Sequence, residues 1–212
     1  MAGRESRKNR IIKPNGGAWG SSSQDFVRIA CILYTHSLEC ANRIDGNCSI
    51  YAPSGIPMLF SALRCLLIEL NSGMFSQERV IPSNRLANSP NDIHLILEFY
   101  ELPEELKNRL RTLSEVRNEI IHPSHMPEVT KNNTPAYLSV LKENEILQST
   151  GEDSDYIWIS QLQSHRLFRW AFENISATVK LLLERHKVNV ELANGILESY
   201  DRYKTMPSNN AG

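Results

Sequence analysis

The stretch PEELKNRLRTLSEVRNEIIHP, residues 103–123, decides the fold class, because its features agree on one helix. Pro103 suits the first helical position, and Glu104 and Glu105 fall where the positive end of the helix dipole favours acids. Leu106, Leu110, Leu113, Arg117 and Ile121 follow at steps of four, three, four and four, an apolar stripe with a cation in its fourth place. Pro123 disfavours helical dihedrals at His122 and so predicts the stop. An unpaired guanidinium inside a core is very costly. Arg117 therefore either pairs with a carboxylate at the core edge or borders a cleft where an anion binds.

Outward from this helix the chain reads as all-α. A first helix is predicted over about 24–44, capped by Ser23, with Phe26, Ile29, Ala30, Leu33, Leu38 and Ala41 mostly on its inner side. A second begins near Gly55, takes Pro57 in its first turn and ends near Asn71-Ser72-Gly73; apolar nearly all round, it should be the central helix. Residues 74–90 read as a loop, followed by a short helix over about 91–100. Beyond the motif helix come a polar loop, a short helix from Pro135 to Leu147 and a turn at Ser149–Asp153. The longest helix is expected over about 160–187, with Phe168, Ala171, Phe172, Ile175, Val179 and Leu182 facing the core. Val190, Leu192, Ile196 and Tyr200 suggest a closing helix within about 189–205. The organisation is then a disordered basic arm (1–22), a single helical domain (23–205) and a flexible C-terminus (206–212).

Composition bounds the function. With 212 residues, 41% hydrophobic and 22% charged, the chain can bury one sizeable core. A formal net charge of −1 gives no global attraction to nucleic acid, so any RNA contact must come from local basic groups. The arm carries Arg4, Arg7, Lys8, Arg10 and Lys13 against Glu5, either a solvated tail or a source of nonspecific RNA affinity. The four cysteines form no close-spaced pairs and no apolar segment of signal or membrane-spanning length stands out, which points to a reducing cytoplasm and no membrane. Cys31 and Cys40 lie on opposite sides of a helix, arguing against a zinc set with His36 and Cys48; no metal and no cofactor are expected. Gly-rich phosphate loops and internal repeats are lacking.

The candidate catalytic residues are Arg117, Asn118 and His122. Asn118 and His122, four apart, lie about 40° from each other on one helical face, and they converge with Arg117 where the helix ends. Cleavage of RNA through its own 2′-hydroxyl needs that hydroxyl deprotonated, the leaving 5′-oxygen protonated and the phosphorane charge stabilised. An imidazole can take or give the proton, contributing about 10²- to 10⁴-fold, and a guanidinium offers a planar donor fork to two phosphoryl oxygens. Asn118 can orient the imidazole or bond a phosphate oxygen. Further candidates for substrate binding are His125, in the loop after the helix, and His165 and Arg166, at the start of the long helix; for each, ordinary surface polarity is the competing reading. Glu69, within the nearly all-apolar second helix, is either a buried salt-bridge partner or an orienter of Arg117.

Arg117-Asn118, three residues and then His122, closing a helix in an all-helical chain, resembles the motif of the HEPN superfamily of ribonucleases and toxins. The likeness covers residues 117–123; the helices from about 24 to 187 agree in pattern. It implies a helical bundle of HEPN type with additional helices, and a metal-independent endoribonuclease, a toxin or phage-defence protein. It also implies a homodimer in which two such helices form one composite cleft, with RNA as substrate and an antitoxin or regulatory protein as further partner. The family's Arg and His fall on Arg117 and His122, its polar residue on Asn118. Ser124 stands where one toxin subgroup has Tyr, so activity depending on that Tyr is not implied. The alternative is a noncatalytic module of similar fold that binds a partner protein or nucleotide and keeps Arg117 in a structural ion pair.

Overall fold

The computed structural model describes residues 22–43, 47–76, 78–89, 91–122, 136–147 and 161–206. Among these the regular structure is helical: α1 (Ser22–Arg43), α2 (Ala52–Asn71), α3 (Ser83–Asn88), α4 (Asp92–Phe99), α5 (Glu104–Ile121), α6 (Ala136–Glu143), α7 (His165–Arg185), α8 (Val190–Asp201) and a 3-10 turn, Arg202–Thr205. The described part is all-α, with one isolated antiparallel bridge between Cys48 and Ser164. The basic arm up to residue 21, the loop from Pro123 to Pro135, the turn Ser149–Asp153 and residues 207–212 lie outside the described residues. Ser22, assigned to the arm, is the first residue of α1.

The central position goes to α2, as its all-round apolarity requires: it packs against α1, α4, α5 and α7. It starts three residues before Gly55, with Pro53 in its first turn, and Pro57 lies inside the helix. Pro57 has no N–H for the carbonyl of Pro53, a loss confined to the second turn. Gly55 is where α7 crosses: a Cβ there would sit 1.9 Å from Cζ of Phe168, so only glycine allows this approach. By length and composition α2 could also cross a membrane, contrary to the expectation that no such segment exists; in this fold it is largely buried among its neighbours.

The buried face of α1 is Val27, Ala30, Cys31, Tyr34, Ser37 and Ala41. Ile29, expected inside, is 44% exposed, as is Ile32 at 53%. The face is turned because Tyr34 enters an aromatic cluster, edge-on to Phe168 and Phe172 with ring centroids 5.4 and 5.3 Å away. The segment 74–90 is not all loop, since six of its residues form α3, which buries Leu86. This segment is pinned by polar bonds: Asn71 Oδ1 accepts from the N–H groups of Val80 and Ile81. His186, fully buried, bonds the Glu78 carbonyl through Nδ1 and the Tyr100 hydroxyl through Nε2, both at 2.8 Å.

The helix α7 begins at His165 rather than near 160 because two side chains cap it there. Ser164 Oγ accepts from the N–H of Leu167, and Asn47 Oδ1 accepts from the N–H of Arg166 at 2.8 Å. Asn47 Nδ2 also donates to Ser164 Oγ at 2.9 Å. Its predicted core residues, from Phe168 to Leu182, are fully buried. At 21 residues it is one shorter than α1, the longest described helix. In α8, Ile196 and Tyr200 are buried whereas Val190 and Leu192 face outward.

Candidate functional site

The site stands at the C-terminal end of α5. Pro103 is the N-cap, one residue outside the helix, and Glu104 and Glu105 occupy the first turn. Leu106, Leu110 and Leu113 are buried, as are Ser114 and Val116 on either side of the stripe. Arg117 lies on the axis of that arc, about 20° from Leu106 by helical periodicity, but it is half-buried and Ile121 is 39% exposed. Full burial on α5 therefore ends at Val116; beyond Arg117 the partly buried Ile120 still packs against the core, and the stripe does not continue to Ile121.

At this exit Arg117 Nη1 donates to Asn118 Oδ1 at 3.1 Å. Arg117 makes no direct ion pair among the described residues. His122 is the C-cap: its N–H donates to the Asn118 carbonyl at 2.7 Å, and its φ of −126° and ψ of 71° leave the helical path. Its side chain is exposed. Arg117, Asn118 and His122 thus span about one and a half turns at the C-terminal end of α5, the first two half-buried and the third exposed, although no hydrogen bond joins Arg117 to His122 among the described residues. The surroundings are not uniformly basic. Tyr137 of α6 lies nearby, and burial followed by the charges of Glu119 and Glu115 pushes its phenol above the ordinary range.

The other candidates are dispersed. Glu69 is buried but its carboxylate is engaged at the start of α1, where it accepts from Ser23 N–H at 3.2 Å and from Ser23 Oγ at 2.5 Å. It thereby stabilises the N-terminal turn that Ser23 alone was expected to cap. His165 bonds Ser37 Oγ at 2.9 Å and borders a cleft of about 730 Å³ that includes Tyr34, Arg169, Lys180 and Tyr203 but neither Arg117 nor His122. Burial, helped by the Arg169 charge, pushes the His165 imidazole down to about 4. Arg166 is exposed and donates to the Glu145 carbonyl. His125 lies outside the described residues. The four cysteines are free thiols.

Two residues absent from the sequence reading belong to this neighbourhood. Asp92, in the first turn of α4, pairs with Arg64 of α2 at 2.6 Å, and Arg64 Nη2 also donates to the Leu86 carbonyl at 2.5 Å. The Arg117 charge reaches Asp92 as well. The pair Asn91-Asp92 announces a helix start, but nothing local in the sequence places that start beside Arg117. Chemically, the turn offers an exposed proton carrier and a guanidinium with donors to spare, a set suited to a phosphodiester. Comparisons with family models, curated proteins and solved structures found no match for the chain.

Proposed function

We propose that the chain is a metal-independent endoribonuclease of HEPN type, a toxin or phage-defence protein that acts on cytoplasmic RNA. The observation that carries this reading is the placement of half-buried Arg117, bonded to Asn118, and of the exposed C-cap His122 at the C-terminal end of one helix. His122 exchanges protons with the attacking 2′-hydroxyl and the leaving 5′-oxygen. Attack by the 2′-oxygen on phosphorus breaks the bond to the 5′-oxygen and yields a cyclic phosphate and a 5′-hydroxyl. Arg117 binds the nonbridging oxygens as charge develops on them. A second copy completes the site by bringing its own Arg117 and His122, which matters for a chain with net charge −1. An antitoxin or regulatory protein controls it.

The acids Glu115 and Glu119 on α5 favour a second reading, a noncatalytic helical module that binds a partner protein or nucleotide. Incubation of mixed cellular RNA with purified protein in excess EDTA separates the two. Cleavage by wild type and its loss in folded Arg117→Ala and His122→Ala variants is the expected result. Equal cleavage by all three, or none by wild type, refutes the enzyme.

A further inference from the structure

The cleft of about 730 Å³ lies away from the end of α5, and its floor is one face of α7, where His165, Arg169, Glu173, Ser176 and Lys180 follow at helical spacing. Tyr34 enters it from α1, and Tyr203 and Lys204 from the 3-10 turn that follows α8. That turn is tied down. Ser176 Oγ and Lys204 Nζ both donate to Asp201 Oδ1, at 2.5 and 2.8 Å, and Thr35 Oγ1 donates to Met206 Sδ at 3.0 Å. The Tyr203 ring stacks on Phe172 with centroids 4.8 Å apart. The cleft is therefore formed before any ligand arrives, and its volume is that of a small-molecule site.

Tyr34 and Tyr203 are each 4% exposed, and their ring centroids lie 5.6 Å apart. Neither hydroxyl has a hydrogen bond among the described residues, and neither is sealed from solvent as the Tyr200 hydroxyl is. Part of the little surface each shows is therefore its polar end, which opens on the cleft. Burial raises both phenols, so both keep their protons at neutral pH. The His165 ring stands 4.8 Å from that of Tyr34. Ser37 is fully buried, and its contact with His165 Nδ1 at 2.9 Å is the one hydrogen bond of its hydroxyl among the described residues. The hydroxyl proton therefore goes to Nδ1, and the neutral imidazole carries its own proton on Nε2, which has no hydrogen bond among the described residues. Arg169, one turn further along α7, gives Nε to Glu173 at 3.0 Å and has no hydrogen bond from Nη1 or Nη2 among the described residues.

Each of these groups can donate: two hydroxyls, an imidazole N–H and the outer edge of a guanidinium. Donors gathered in one cleft are complementary to an oxyanion. The surrounding charges limit that anion. Arg169, Lys180 and Lys204 stand against Glu173 and Asp201, and an excess of one positive charge suits a monoanion and opposes a polyphosphate or a nucleic-acid strand. Leu38, Leu197 and Met206 add apolar surface. We propose that this cleft binds a small monocarboxylic acid, its carboxylate held by the Tyr34 and Tyr203 hydroxyls, His165 Nε2–H and Arg169, and its hydrocarbon body laid against the apolar side chains. Neither Arg117 nor His122 borders the cleft, so the proposal is independent of the ribonuclease reading.

The test titrates the full chain with octanoate and follows backbone amide shifts by NMR. Binding should saturate with a Kd of about 1 mM or tighter, and the shifts should centre on residues 165–169 and 201–206. Arg169→Gln and Tyr34→Phe should each raise Kd by about tenfold or more, because each removes a hydrogen bond to a charged group. Arg169 is exposed, so its variant keeps the fold and the test stands even where Tyr34→Phe unfolds. Two further probes fix the chemistry: 1-octanol, neutral, and octyl phosphate, mostly a dianion at pH 8, should each bind at least about tenfold more weakly than octanoate. No saturation up to about 10 mM octanoate overturns the proposal. Shifts confined to other faces, wild-type affinity in Arg169→Gln, or octanol bound as tightly as the acid do the same. Tighter binding of octyl phosphate also overturns it, by assigning the cleft to phosphates.

Discussion

Replacing Glu69 by Ala tests whether this buried acid belongs to the architecture or to the site. Its carboxylate accepts two bonds from Ser23, one from the N–H at 3.2 Å and one from the hydroxyl at 2.5 Å, and the residue is 6% exposed. Hydrogen bonds to a charged group contribute about 1.5–3 kcal/mol each, and part of that sum is returned because a buried charge is no longer desolvated, so the net cost is about 3 kcal/mol. At roughly 2–4 °C per kcal/mol for a chain of this size, Tm falls by about 6–12 °C. Glu69→Gln keeps an acceptor oxygen and should cost about 1 kcal/mol. Urea unfolding followed by helical circular dichroism gives both values, with the m-value as a check on the unfolded state. On the ribonuclease reading proposed above, RNA cleavage below the transition should be unchanged, because both carboxylate oxygens face Ser23. A Glu69→Ala protein within about 0.5 kcal/mol of wild type refutes the argument; full stability with lost cleavage would return Glu69 to the site.

Three further outcomes follow from the packing. His165 is held down to about 4, and His186 below its ordinary value, each first by burial; the unfolded chain therefore takes up protons first, and this share of the stability is complete above about pH 6.5 and declines as pH falls from there toward 4. Urea midpoints at pH 7.5 and 5 should show the decline, and equal midpoints would contradict it. Gly55→Ala would ordinarily strengthen a helix by up to about 1 kcal/mol, but the new methyl meets the Phe168 ring, so it should destabilise by about 1–3 kcal/mol in thermal unfolding; a raised Tm would rule out the close approach. Asn47→Ala removes a cap from α7 and should cost about 1–2 kcal/mol, with faster amide exchange at Arg166 and Leu167; undiminished protection there would disprove the cap.

How much could be read beforehand depended on whether the cause was local. The helix α5 was legible because Pro103, two acids, the leucine spacing and Pro123 all act within its own length. Ile29 was misplaced because periodicity defines a broad arc and cannot say which flank goes inward; Tyr34 decided that through rings contributed by α7. Gly55 looked like a helix boundary, whereas its role is set by Phe168, far along the chain. The helix α3 is too short to show an apolar period. At the site, the bond from Arg117 to its neighbour Asn118 and the departure of His122 from the helix are near-neighbour effects. The burial of Glu69 followed from its apolar surroundings, but Ser23 as its partner, like the pairing of Asp92 with Arg64, is a product of tertiary packing.

The bond between Asn47 and Ser164 also sets the order in which a growing chain can become a protein. The pair formed by α1 and α2 is nearly local and can assemble as soon as residue 71 is free. The side of α2 at Gly55, where Phe168 packs, has no cover until α7 emerges. The cap on α7 joins residues from opposite parts of the sequence, so its first turn is secured only when nearly the whole polypeptide exists. During synthesis an apolar half-bundle therefore waits for its lid, and chaperones that shield such surfaces have their longest opportunity in that interval.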